Sequence, residues 1–174
     1  MKPRIHILGG PGSGKSYVAA RLATQFGISA CDLDDLFWDR TALKYGVRAE
    51  TKERTRQLAD IVSQDGWVIE GVYYQWLAPS FKSANLIIAL TPSIWIRHGR
   101  VIKRFLLRKF GRIKSKRESF ADLLRLLRWS HNYDATMLVQ AREFISQQGR
   151  ELAVYKTFDD VMNTARSRIT WPQG

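Results

Sequence analysis

The run Gly9-Gly10-Pro11-Gly12-Ser13-Gly14-Lys15-Ser16 constrains this chain more than any other stretch, because it fits the pattern Gly-x4-Gly-Lys-[Ser/Thr]. Glycines let the backbone curl so that successive N–H groups turn inward onto phosphate oxygens. Lys15 supplies a mobile positive charge for the outer phosphates, and the Ser16 hydroxyl is a hard oxygen ligand for Mg²⁺. The apolar run Arg4 to Leu8 precedes the loop. A stretch with Val18, Leu22 and Phe26 at helical spacing follows it, stopped by Gly27. Strand, glycine loop and helix in that order bring the helix N-terminus to the phosphates. The sequence thus predicts phosphate binding by Gly9, Gly10, Pro11, Gly12, Ser13, Gly14, Lys15 and Ser16.

The rest of the chain alternates short apolar runs with helical stretches, the pattern of a parallel sheet covered by helices. Strands are expected at 28–33, 67–70, 85–90 and 152–155 besides the first. Helices are expected at 13–26, 50–64, 93–110, 118–148 and 159–169. No repeat or linker divides the 174 residues, which predict a single α/β domain with one doubly wound sheet of five strands. Cys31 is the only cysteine, so a disulfide framework and a thiolate metal cluster are excluded. The N-terminus lacks the apolar core of a signal peptide, and no apolar run reaches the ~20 residues that span a bilayer. A cytoplasmic protein is expected.

Two acidic clusters stand beside the expected phosphate site. The second strand ends in Asp32-Leu33-Asp34-Asp35. On an extended strand Asp32 and Asp34 project to the same side, at the carboxyl edge where ligands of parallel sheets bind. Asp32 then has two roles open to it, holding a metal-bound water or orienting an attacking hydroxyl. Asp34 lies farther out, toward a second substrate. An acidic turn or helix N-cap is the plainer alternative. The third strand ends in Val68-Ile69-Glu70-Gly71, an acid after an apolar run, suited to a contact with Mg²⁺. Phe37, Trp38, Tyr73, Tyr74 and Trp76 follow these acids and suit either a substrate pocket or the core. His6, His98 and His131 are scattered, with no metal-ligand spacing.

These residues resemble the adenylate-kinase and shikimate-kinase group of P-loop phosphotransferases, and within it the bacterial DNA topology modulation proteins. The resemblance covers essentially the whole chain: Gly9 to Ser16, the Asp-Leu-Asp-Asp-Leu-Phe-Trp run at 32–38, Trp-Val-Ile-Glu-Gly-Val-Tyr at 67–73 and the arginine-rich stretch after Pro92. It implies a three-layer P-loop NTPase fold, a five-stranded parallel sheet in order 2-3-1-4-5 with helices on both faces, and a basic helical lid over ATP. It implies that Asp32 and Asp34 serve metal and substrate, and that Glu70-Gly71 stands where adenylate kinases carry an Asp-Gly. There the chain departs, since Val72-Tyr73-Tyr74 follows without the proline and substrate-binding arginine of that motif. Arg100 and Arg104 match an Arg-x3-Arg pair that reaches adenine and phosphates. No guanine-specific motif occurs, so ATP is expected.

The charge agrees with a lid. Of the formal +12, the segment from Arg97 to Arg128 holds twelve Lys/Arg against Glu118 and Asp122, a net of +10. Arg97, Arg100, Arg104 and Arg108 fall on one helical stripe, with Trp95, Ile102, Phe105 and Leu106 expected against the sheet. The lid is expected at about 100–130, its tip the loop 111–117. The expected activity is a small-molecule kinase using ATP and Mg²⁺. Catalysis falls to Lys15, Asp32, Arg100 and Arg104, metal binding to Ser16, Asp32 and Glu70, and substrate binding to Asp34, Glu70 and Gly71. A nucleic-acid-binding ATPase, or a polynucleotide 5′-hydroxyl kinase, is the alternative that the basic segment suggests.

Overall fold

The computed structural model describes residues 2–39, 41–42, 46–110 and 119–168. Five strands run parallel: β1 (Arg4–Leu8), β2 (Ser29–Asp32), β3 (Trp67–Gly71), β4 (Leu86–Leu90) and β5 (Ala153–Tyr155). Their order is β2-β3-β1-β4-β5, as the resemblance implies. Central β1 pairs with β3 through Ile5↔Val68 and Ile7↔Glu70, and with β4 through Ile7↔Ile88.

The central strands β1, β3 and β4 are buried on both faces, which is why they read as continuous apolar runs, whereas the edge strands β2 and β5 are partly exposed. Alternate residues nonetheless divide between two cores. Ile5, Ile7, Val68 and Ile88 pack under α1 (Lys15–Phe26) and α8 (Phe158–Arg168). Leu8, Trp67, Ile69 and Ile87 pack on the other side, under α3 (Thr51–Val62), α4 (Ala78–Ser83) and α7 (Met137–Gln147). His6 lies fully buried there, with Nδ1 3.1 Å from Ser80 Oγ and its ring 4.5 Å from that of Phe81. Burial pushes its imidazole down to about 3, so it is neutral.

Four sequence expectations need correction. The helix at 13–26 begins only at Lys15, because Gly14 has φ 95°, a left-handed conformation that no helix interior accepts. The second strand stops at Asp32, and Leu33 opens a short helix, α2 (Leu33–Phe37). The expected helix 118–148 is two, α6 (Phe120–Asn132) and α7, broken where Tyr133 turns inward to full burial. On α5 (Ile94–Lys109) the buried residues are Arg97, Val101 and Phe105, whereas Trp95 is 81% exposed and Ile102 and Leu106 also face outward. Arg97 shares the inward face of α5 with Val101 and Phe105, and its charge is met by Asp134, whose own side chain is 39% exposed. The loop expected at 111–117 lies outside the described residues.

Candidate functional site

The carboxyl ends of β1, β2 and β3 meet at the glycine loop. Gly12 and Gly14 both hold positive φ, at 77° and 95°. Ser13 N donates to Gly10 O at 3.1 Å, and Gly9 N to Gly71 O at 3.3 Å. A Cβ on Gly12 would stand 2.4 Å from the carbonyl oxygen of Arg97, so only glycine fits that approach. Gly71 has a packing reason too, since a Cβ there would stand 2.8 Å from Leu33 Cβ.

Lys15 and Ser16 open α1 beside the end of β3. Lys15 Nζ lies 3.6 Å from Glu70 Oε2, and the Glu70 side chain is only 3% exposed. Burial raises the Glu70 carboxyl above its usual range, while the Lys15 ammonium and the Ser16 hydroxyl offset part of that rise. Its Oε2 is buried with no hydrogen-bond donor. Across from it, Asp32 is the N-cap of α2, and its Oδ1 accepts from Asp34 N at 2.9 Å. Burial also raises the Asp32 carboxyl; the Asp34 N–H pulls it down, and the Asp34 charge adds to the rise. The pair therefore does not project from one strand: Asp32 ends β2 and Asp34 sits in the first turn of α2. Asp34 Oδ1 instead accepts from the Tyr73 hydroxyl at 2.7 Å.

Tyr73 links this acidic cluster to an aromatic cavity of about 420 Å³. Its ring stacks on Phe37 at 4.3 Å and lies 6.4 Å from Trp76. Arg54 stands over both Phe37 (5.0 Å) and Trp76 (5.4 Å), and Arg48 stands over Phe37 at 5.5 Å. The Arg54 Nε and Trp76 Nε1 atoms are buried without hydrogen-bond partners. The sequence signalled the aromatics but not Arg48 or Arg54, which lie in unremarkable polar stretches.

On the opposite side of the loop, Arg100 Nη1 donates to Gly12 O at 3.2 Å and Ser13 O at 2.7 Å. Arg104 sits one turn farther along the exposed side of α5. Arg97 is 3% exposed and forks onto Asp134 Oδ1 and Oδ2 at 2.9 and 2.8 Å. His98 and His131 do approach, with ring centroids 6.2 Å apart between α5 and α6. Among the described residues, however, no group of three or more His, Cys, Asp or Glu could hold a metal. A divalent ion at the loop would need ligands beyond such a group. Ser16, with the Glu70 and Asp32 carboxylates nearby, suits Mg²⁺, which keeps waters and takes phosphate oxygens.

A parallel sheet in this order, with a glycine loop between β1 and α1, is the fold of the P-loop kinases. Two known proteins show how far the likeness extends. Shikimate kinase from Acinetobacter baumannii, solved in complex with shikimate, superposes with a TM-score of 0.53 at 16% identity, over 97% of this chain and 96% of that one. The uncharacterized protein YqaC of Bacillus subtilis (strain 168) is 28% identical over 149 residues, 82% of this chain and 79% of that protein. No protein-family profile matches the chain. Among the described residues no helix is long and apolar enough to cross a membrane.

Proposed function

We propose that this protein is a cytoplasmic small-molecule kinase that binds Mg·ATP and transfers its γ-phosphoryl group to a hydroxyl. The observation that carries the reading is the Lys15–Glu70 pair at 3.6 Å, set beside a loop with two left-handed glycines. The loop amides and Lys15 hold the phosphates, and Lys15 counters charge as it develops during transfer. Mg²⁺, taken through Ser16 with Glu70 and Asp32, would neutralise the β- and γ-oxygens. The acceptor lies in the aromatic cavity beside Tyr73, with its hydroxyl at Asp34 and Gly71 beneath. The hydroxyl oxygen bonds to the γ-phosphorus, the bond to the bridging oxygen of ADP breaks, and the hydroxyl proton passes to the Asp32–Asp34 pair. Arg48 and Arg54, with no carboxylate among the described residues that line that cavity, favour an acceptor bearing an anionic group. Arg100 and Arg104 add positive charge on the lid side. The bound shikimate of the structural neighbour supports a hydroxyl acceptor in a fold of this kind.

An acceptor panel tests the reading: nucleosides, nucleotides, sugars, shikimate-like alcohols and 5′-hydroxyl oligonucleotides, each scored for ADP release. At least one acceptor should raise turnover, and Lys15→Ala should abolish the rise. Turnover unaffected by that substitution contradicts the reading.

A second reading, a nucleic-acid-binding ATPase or polynucleotide 5′-hydroxyl kinase, draws on the resemblance to topology modulation proteins. One structural observation favours it: Trp95, Phe110 and Phe120 are exposed on the basic α5–α6 hairpin, where bases can stack. It requires DNA affinity that falls with salt at a slope of about −0.9 per phosphate contact.

A further inference from the structure

An anion-binding loop works only while its N–H groups face the anion, and a peptide that turns its N–H inward turns its carbonyl away. Here the carbonyls are met one by one from the α5–α6 hairpin. The Ser130 hydroxyl, fully buried on α6, donates to Pro11 O at 2.9 Å. Arg100 takes the next two carbonyls, Gly12 O and Ser13 O. The Tyr133 ring fills the space against Gly10, where a Cβ would stand 2.9 Å from Tyr133 Cγ. The backbone of Arg97 fills the space against Gly12. Behind these contacts the Arg97–Asp134 fork joins α5 to the turn between α6 and α7.

We propose that Ser130 and Asp134 are positioning residues of the phosphate loop, holding the hairpin against its outer side so that the carbonyls of Pro11, Gly12 and Ser13 stay turned from the ligand. Ser130 acts directly on the loop backbone. Asp134 acts through Arg97, a buried guanidinium that has no place to sit without a carboxylate. The inference rests on the nucleotide-binding reading above and adds a coupling to it. Whatever shifts the hairpin changes phosphate affinity, and phosphate binding must steady the hairpin by the same free energy. It also gives Arg100 a task distinct from charge neutralisation, since its Nη1 is engaged with carbonyl oxygens.

The test uses the full chain as wild type, Ser130→Ala and Asp134→Asn. Each is titrated calorimetrically with Mg·ATP and with inorganic tripolyphosphate, which has no nucleoside to hold. Amide exchange is followed in the absence of ligand. Ser130→Ala should weaken both ligands by a common factor of about fivefold, the worth of one hydrogen bond. Asp134→Asn should weaken both further. Exchange should quicken at 9–14 while β4 and α8 keep their wild-type protection, which a general loss of packing would not allow. If Asp134→Asn fails to fold, Ser130→Ala decides alone. Wild-type affinity for tripolyphosphate in Ser130→Ala, with unchanged exchange at the loop, overturns the inference. A wild-type protein that binds neither ligand overturns the nucleotide reading itself, and this inference with it.

Discussion

Lys15 Nζ stands 3.6 Å from Glu70 Oε2, where the first turn of α1 meets the buried end of β3. The pair puts a cation and a carboxylate at the mouth of the same glycine loop. Taking Glu70 out of water is costly, and Lys15 offsets only part of that cost. Such a pair is poorly explained by stability alone, whereas the proposed binding of phosphate and Mg²⁺ calls for both charges.

Glu70→Gln separates these two explanations. The amide keeps the shape of the side chain and removes its buried charge. We expect the boost that Mg²⁺ gives to ATP affinity to fall about tenfold, a loss of roughly 1.4 kcal/mol. Thermal denaturation of the free protein should show a midpoint no lower than wild type, because the raised Glu70 carboxyl marks the ionised side chain as a net cost to the fold, and Lys15, 18% exposed, keeps contact with water when its partner is neutral. A lowered midpoint with an intact Mg²⁺ effect would make Glu70 a structural residue.

Gly12→Ala tests the close approach of loop and hairpin. The new Cβ would meet the Arg97 carbonyl at 2.4 Å from a residue held at φ 77°. Urea denaturation should register a loss on the order of 2 kcal/mol or more, with ATP affinity falling alongside. Gly27→Ala is the control: φ is 60°, but a Cβ there meets nothing within 4 Å. It should cost only about 1 kcal/mol and leave ATP affinity unchanged.

How much of this was legible beforehand follows the physics of each signal. Gly12 and Lys15 belong to a local pattern whose chemistry is dictated residue by residue, so the loop could be read directly. Buried parallel strands announce themselves as apolar runs, as β1, β3 and β4 do. Asp32 was harder, because a strand end and an N-cap use the same residue types, and only the backbone at Leu33 decides between them. The break at Tyr133 was hidden altogether. Helical periodicity runs on through 118–148, and the aromatic turns inward to meet Gly10, a contact that no local spacing encodes. The inward face of α5 escapes local spacing for the same reason, since buried Arg97 is paired with Asp134, far along the chain.

His6 gives the fold a pH dependence independent of the site. Its imidazole is held down to about 3 by burial, against an ordinary value of 6.5. Between those values the unfolded chain takes up a proton that the folded protein refuses, so stability falls as pH drops from 6.5 toward 3. Equilibrium unfolding across that window should show a steeper decline for wild type than for His6→Gln. Parallel curves for the two proteins would mean that the buried ring does take up a proton.

The most direct measurement is isothermal titration of wild type and Lys15→Ala with Mg·ATP. Wild type should release heat with a stoichiometry of about one, and Lys15→Ala should bind at least tenfold more weakly, having lost a charge-assisted contact to the phosphates. A wild-type protein that gives no heat with ATP, or a variant that binds as tightly as wild type, contradicts the account.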